Sequence, residues 1–104
     1  MTKSIVFQRI YDSFIRQGVA KTLGFNLLKV ETGLVEIELP WSEKVTQQQG
    51  GFHGGMVGTL ADMTAGYAGL TVAPEGSEVV TVEYKINFLH TGKGGKLLAI
   101  GKVI

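Results

Sequence analysis

The sequence predicts an α+β domain in which a long helix packs on an antiparallel sheet. Three observations carry this: a long apolar segment of helical length, β-type alternation on either side of it, and an amphipathic helix in front. Nothing repeats along the 104 residues, a length that fits one domain spanning residues 1–104. With 44% hydrophobic and 18% charged residues, the composition is that of a globular protein apolar enough to bury an oligomer interface.

From Lys3 to Gly18, Val6, Ile10 and Phe14 recur at four-residue steps, with Phe7, Tyr11 and Ile15 beside them and Arg9, Asp12 and Arg16 elsewhere. That spacing predicts an amphipathic helix with Gly18 as its stop. "GFNLLKVETGLVEIELPW" then reads as a hairpin turning at Glu31-Thr32-Gly33 and ending at Pro40, with Leu34, Glu36 and Glu38 alternating against Val35, Ile37 and Leu39. Ser42 to Phe52 is a polar, glycine-bearing loop.

After Gly55, "MVGTLADMTAGYAGLTV" has helical length and no proline before Pro74. Gly58, Gly66 and Gly69 each cost up to about 1 kcal/mol relative to alanine in a solvated helix, so this helix needs burial. Its glycines predict close approach by other backbone or a ligand, as in a helix enclosed by a curved sheet. Ser77 to His90 alternates as a long strand, Gly92 to Gly95 turns, and Lys96 to Ile104 begins another strand.

The composition also excludes chemistry. Zero cysteines remove disulfides, thiolate zinc sites and thiol nucleophiles, and fit a cytoplasmic location. Charges at Lys3, Arg9, Asp12, Arg16 and Lys21 interrupt any signal-peptide core. The one candidate membrane span, Gly54 to Pro74, carries Asp62 at its centre, which would cost roughly 2.5 to 3.5 kcal/mol in mid-bilayer, so no membrane partner is expected. No serine sits in a G-x-S-x-G elbow, and the glycines match neither phosphate-loop pattern. His53, Asp62 and His90 are the one conceivable metal trio, but their spacing matches no ligand motif, and no metal is expected.

Net charge is +1, and no nucleic-acid partner is indicated. Residues 84–104 nevertheless hold Lys85, Lys93, Lys96 and Lys102 and no acid. Such a tail either attracts anions or protects exposed strand edges.

Between Val45 and Pro74, Asp62 is the sole formally charged side chain. A carboxylate so placed is either catalytic or a structural group satisfied by a nearby hydroxyl or amide. His53 precedes the helix, where free N–H groups and the positive end of the dipole point outward. There the Gly54 N–H could stabilise an oxyanion, while a histidine bonding locally to backbone is the plainer alternative. Eight residues separate Gly54 from Asp62, roughly 12 Å along a helix, so one chain cannot bring both to one carbon. A two-fold pair of antiparallel helices could.

These residues resemble the core motif of the hotdog-fold acyl-CoA thioesterases of the phenylacetate-pathway (PaaI) type, N-x-x-G-x-x-H-G-G-x-x-x-x-L-x-D. Here it reads Gln47, Gly50, His53, Gly54, Gly55, Leu60 and Asp62 at the same spacing. The resemblance implies a hotdog fold, with the long helix wrapped by the sheet, and a homodimer or dimer of dimers. It implies that Asp62 is general base or nucleophile and that Gly54 of the other subunit is the oxyanion donor. His53 would hold that region and the acyl group, and Thr81 would help position water. Gly55 belongs to the substrate-binding turn. Lys85, Lys93 and Lys96 would attract the phosphates of coenzyme A, which enters as part of the substrate, with no separate cofactor.

Two departures stand out: Gln47 replaces the family's asparagine, moving its amide by roughly 1.5 Å, and relatives are expected to continue for about two strands beyond Ile104. They keep a second reading open, a non-catalytic acyl-CoA or acyl-ligand binding module on the same scaffold. A hotdog hydratase would need a catalytic histidine paired with an acid in another motif. Whether Met56, Phe52, Tyr67 or Leu89 lines the acyl pocket stays open.

Overall fold

The computed structural model describes residues 2–80 and 94–104. Helix α1 (Thr2–Phe14) is followed by a short helix α2 (Gly18–Leu23), then strands β1 (Asn26–Glu31) and β2 (Leu34–Pro40). A single 3-10 turn (Glu43–Val45), the long helix α3 (Gly54–Val72) and strand β3 (Lys96–Lys102) complete the order. Among the described residues the sheet is antiparallel with strand order β1-β2-β3.

The alternation read in β2 is realised. Val35, Ile37 and Leu39 are fully buried against α3, while Leu34, Glu36 and Glu38 lie on the other face. β3 pairs along the whole of β2, from Leu34 opposite Lys102 to Pro40 opposite Lys96. A bulge between Leu27 and Lys29 in β1 shifts the register, so that Leu27 and Val30, three residues apart, both turn inward. The hairpin turns through Gly33 at φ +79°, a conformation that side-chain-bearing residues rarely adopt. The Gly33 N–H donates to Thr71 Oγ1 at 2.7 Å, tying this turn to the end of α3.

Gly18 is not the stop expected of it. α1 ends at Phe14 with tightened bonds from Arg16 N to Ser13 O and Gln17 N to Phe14 O, and Gly18 opens α2. The helical stop is Gly24, left-handed at φ +87°, where the amides of Gly24 and Phe25 both reach Ala20 O. Six residues are too few to show a helical period, which is why α2 escaped the sequence.

The expected strand from Ser77 is irregular over residues 77–80, and its remainder lies outside the described residues. The glycine reading also changes. A Cβ on Gly69 would meet nothing within 4 Å, and one on Gly66 only Val79 Cγ1 at 4.0 Å, so neither marks a close approach among the described residues. The close approach is made from the sheet: a Cβ on Gly101 would lie 2.6 Å from the Thr64 carbonyl oxygen of α3. The helix touches its sheet because β3 has a glycine there.

The α1 periodicity holds on one side. Ile10 and Phe14 are buried and Val6 packs against the core, whereas Phe7 and Tyr11 are exposed and stack on each other, ring centroids 5.6 Å apart.

Candidate active site

The approach to α3 is a narrow excursion of the chain. His53 N donates to Val45 O, Thr46 bridges Phe52, and Gln47 N donates to Gly51 O, so the two limbs of the loop run antiparallel. Val45 and Phe52 anchor it in the core, and Gly50 takes φ +89° at its tip. Trp41 Nε1 donates to Gly50 O from outside. Together these contacts deliver His53 to the N-cap of α3.

There His53 Nδ1 accepts the Gly55 N–H at 2.8 Å. An imidazole that accepts at Nδ1 keeps its hydrogen on Nε2, and the His53 ring is exposed. The His53 carbonyl takes the amides of Met56 and Val57. Among the described residues, the Gly54 N–H donates to no acceptor. Of the first helical amides, the one singled out by sequence is the one left open, and the positive end of the helix dipole lies behind it with no acidic residue in the first turn.

Two turns on, Asp62 is half-buried and lines a cavity of about 220 Å³ between α3 and α1. Eight positions apart on one helix, Gly54 and Asp62 are roughly 12 Å apart along the axis, so the helix does not bring them onto one reacting atom within a chain.

The other candidates fall into three groups. Gln47 turns back on its own loop: its Oε1 accepts from Gln49 N, and its Nε2 donates to Gln49 Oε1 at 3.3 Å. Lys96 Nζ lies 3.1 Å from Glu38 Oε1. Glu38 is held below the ordinary carboxylate value of 4.5 first by the hydrogen bond from Asn26 and then by Lys96. Thr81, Lys85, Lys93 and His90 lie outside the described residues. Among those described, no three His, Cys, Asp or Glu side chains gather as a metal site would require, and no helix is long and apolar enough to cross a membrane.

The cavity beside Asp62 involves residues of the first helix that the sequence did not single out for a site. Arg9, Ser13, Arg16 and Gln17 line it from α1, at spacings of four, three and one, along one side of the helix and the turn that follows it. Of the four apolar candidates, Tyr67 lines the cavity, whereas Phe52 is buried in the core, Met56 packs on the core and Leu89 lies outside the described residues.

Residues 49–104 match the model of the thioesterase superfamily. A protein of Saccharolobus solfataricus, named for an inferred esterase activity, is 36% identical over 83% of this chain. A second from the same organism, similarly named, is 34% identical over 79%. The chain spans 61% and 54% of the lengths of these curated relatives. Among solved structures, a thioesterase family protein of Silicibacter pomeroyi superposes with TM-score 0.91 at 37% identity, covering 95% of this chain and 73% of that one. The E. coli PaaI protein of the phenylacetic acid degradation operon superposes with TM-score 0.83 at 23% identity, covering 96% and 71%, a likeness of fold. The helix laid on an antiparallel sheet is thus the hotdog fold expected from the motif.

Proposed function

The chain belongs to the thioesterase superfamily, and from that premise we propose that it hydrolyses an acyl-CoA thioester to the free acid and coenzyme A. The observation that carries this reading is the division of labour at the start of α3. His53 occupies the Gly55 amide and leaves the Gly54 N–H open, at the positive end of a helix that also bears Asp62.

In this reading the thioester carbonyl of one site lies against the Gly54 N–H of one copy and Asp62 of a second, the two α3 helices running antiparallel about a two-fold axis. Water adds to the carbonyl carbon while Asp62 takes its proton. The C–S bond then breaks, and the sulfur leaves with that proton as the thiol. A direct route is equally available to the same atoms: the Asp62 carboxylate attacks, the thiolate leaves, and water hydrolyses the resulting anhydride. Thr81 positions the water, and Lys85, Lys93 and Lys96 attract the coenzyme A phosphates. For that, Lys96 must exchange its contact with Glu38.

The test is thiol release from a panel of acyl-CoAs, comparing the protein with Asp62→Asn. Turnover should fall by about 10²–10⁴, the usual contribution of a positioned acid or base, with the oligomer retained on size exclusion. Undiminished hydrolysis in the variant removes Asp62 from the mechanism. The second reading, a binding module without turnover, is favoured by the engagement of Gln47 with Gln49, since that amide does not reach out of its loop. It predicts acyl-CoA binding with no thiol release from the parent protein.

A further inference from the structure

The cavity that Asp62 opens has a wall that its chemistry does not use. At about 220 Å³ it exceeds the roughly 150 Å³ that accommodates a benzene-sized molecule, which suits a short acyl group. Along α3, Gly66 and Leu70 follow Asp62 at four-residue steps, so the cavity runs away from the carboxylate down the helix. Between Asp62 and Leu70 its wall is polar. Tyr67, buried apart from its lining edge, accepts a hydrogen bond from Gln17 Nε2 at 2.7 Å and shares another with Ser13 Oγ at 3.0 Å.

Counting hydrogens there leaves a remainder. The Tyr67 and Ser13 hydroxyls own two O–H hydrogens, and the bond between them uses one; Gln17 brings its own. Whichever hydroxyl donates to the other, one O–H hydrogen is left, and it makes no hydrogen bond to a described residue. The two arginines that line the cavity differ in the same way. Arg9 is spent on the carbonyls of Ala73, Pro74 and Ser77. The Arg16 side chain makes no hydrogen bond or ion pair to any described residue. Glu78, also at the cavity, is exposed on the segment that closes it.

A hydroxyl donor and a guanidinium that line one cavity, neither bonded further to a described residue, are suited to an acceptor-only anion. We propose that this cavity takes the far end of the acyl group and that this end is a carboxylate, making the substrate the mono-thioester of a short dicarboxylic acid. Arg16, Tyr67 and Ser13 are then specificity-determining residues. The inference rests on the thioesterase reading for the role of Asp62, but the carboxylate recognition is a binding property and is measurable without turnover.

The experiment compares glutaryl-CoA with hexanoyl-CoA, two acyl groups of similar length, by kcat/KM and by calorimetric binding to the Asp62→Asn protein. Glutaryl-CoA should be preferred by about tenfold or more, and Arg16→Gln should erase most of that preference while leaving hexanoyl-CoA within about twofold. Tyr67→Phe should act in the same direction; because Tyr67 is buried, the exposed Arg16 keeps the test independent of folding. Equal affinity for the two thioesters, or equal losses for both in Arg16→Gln, overturns the proposal. Absence of turnover with a glutaryl preference in binding overturns the hydrolytic reading alone and leaves the carboxylate site standing.

Discussion

The two ends of α3 treat their unpaired backbone groups in opposite ways. At the C-terminal end, groups beyond the last turn are collected: Arg9 reaches from α1 to Ala73 O and Pro74 O at 2.9 Å and Ser77 O at 3.3 Å, and the Ala73 amide closes on Leu70 O. Thr71, inside that last turn, accepts the hairpin amide of Gly33. At the N-terminal end the one side-chain cap, His53, takes the second amide and leaves the first open. Helix ends ordinarily find partners for such groups. The secured end holds the fold, and the amide left open among the described residues is the one that the proposed mechanism assigns to the oxyanion.

The sharpest way to break this comparison is Gly54→Pro. Gly54 is the first helical residue, where proline is tolerated because that amide has no intrahelical partner, and His53 at φ −65°, ψ 134° already has the backbone that precedes proline comfortably. The substitution therefore deletes one N–H and little else. If that N–H is the oxyanion donor, kcat should fall by about 10²–10³ with the melting temperature nearly unchanged. A variant as active as the parent would mean that the open amide is incidental.

Arg9→Met tests the other end. Methionine keeps much of the apolar stem and loses the guanidinium, so three carbonyls surrender a charged donor. Urea unfolding should show a loss of about 1.5–3 kcal/mol. If stability is untouched, the C-terminal end is not secured by Arg9, and the contrast between the ends fails from that side.

How much of this was legible beforehand follows the same division. The N-terminal end is local: Gln47 to Asp62 falls within sixteen residues, so one short stretch showed a helix start, a histidine before it and a lone carboxylate, and the family resemblance supplied the motif that joins them. The C-terminal end depends on a contact across 64 residues from Arg9 to Ala73, which no periodicity records. Arg9 and Arg16 read only as charges off the apolar face of an amphipathic helix, and Ser13 and Gln17 carried no signal, because polarity is the only sign they give until α3 is placed beside them. The β2 face was readable for the reason that α2 was not: seven strand residues at period two make a pattern, and six helical residues do not.

Between the two ends, the helix is seated by Gly101. Gly101→Ala would place a Cβ 2.6 Å from Thr64 O and 3.0 Å from Thr64 C, backbone atoms that can yield only by moving helix from sheet. A loss of about 1–3 kcal/mol is expected by thermal or urea unfolding. Both ends would shift together, so activity and stability should decline in parallel, unlike the separated effects of Gly54→Pro and Arg9→Met. A neutral substitution would show that α3 rides more loosely on β3 than this contact allows.

The smallest effect expected is a pH dependence that belongs to the sheet and to neither end. Glu38 accepts from Asn26 Nδ2 at 3.0 Å and lies 3.1 Å from Lys96 Nζ, and these contacts, in that order, lower its pKa from 4.5 in the folded protein. A carboxyl whose folded pKa is lowered contributes stability above its unfolded value and loses it as pH falls through the folded one. Glu38→Gln should therefore be slightly less stable than the parent at pH 6, and the gap should close as pH drops below 4.5. Because Glu38 is on β2, remote in sequence from both termini of α3, the same titration on Arg9→Met should keep its deficit across this range. A deficit in Glu38→Gln that persists unchanged into acid would assign its origin to packing in the strand pair rather than to the charge.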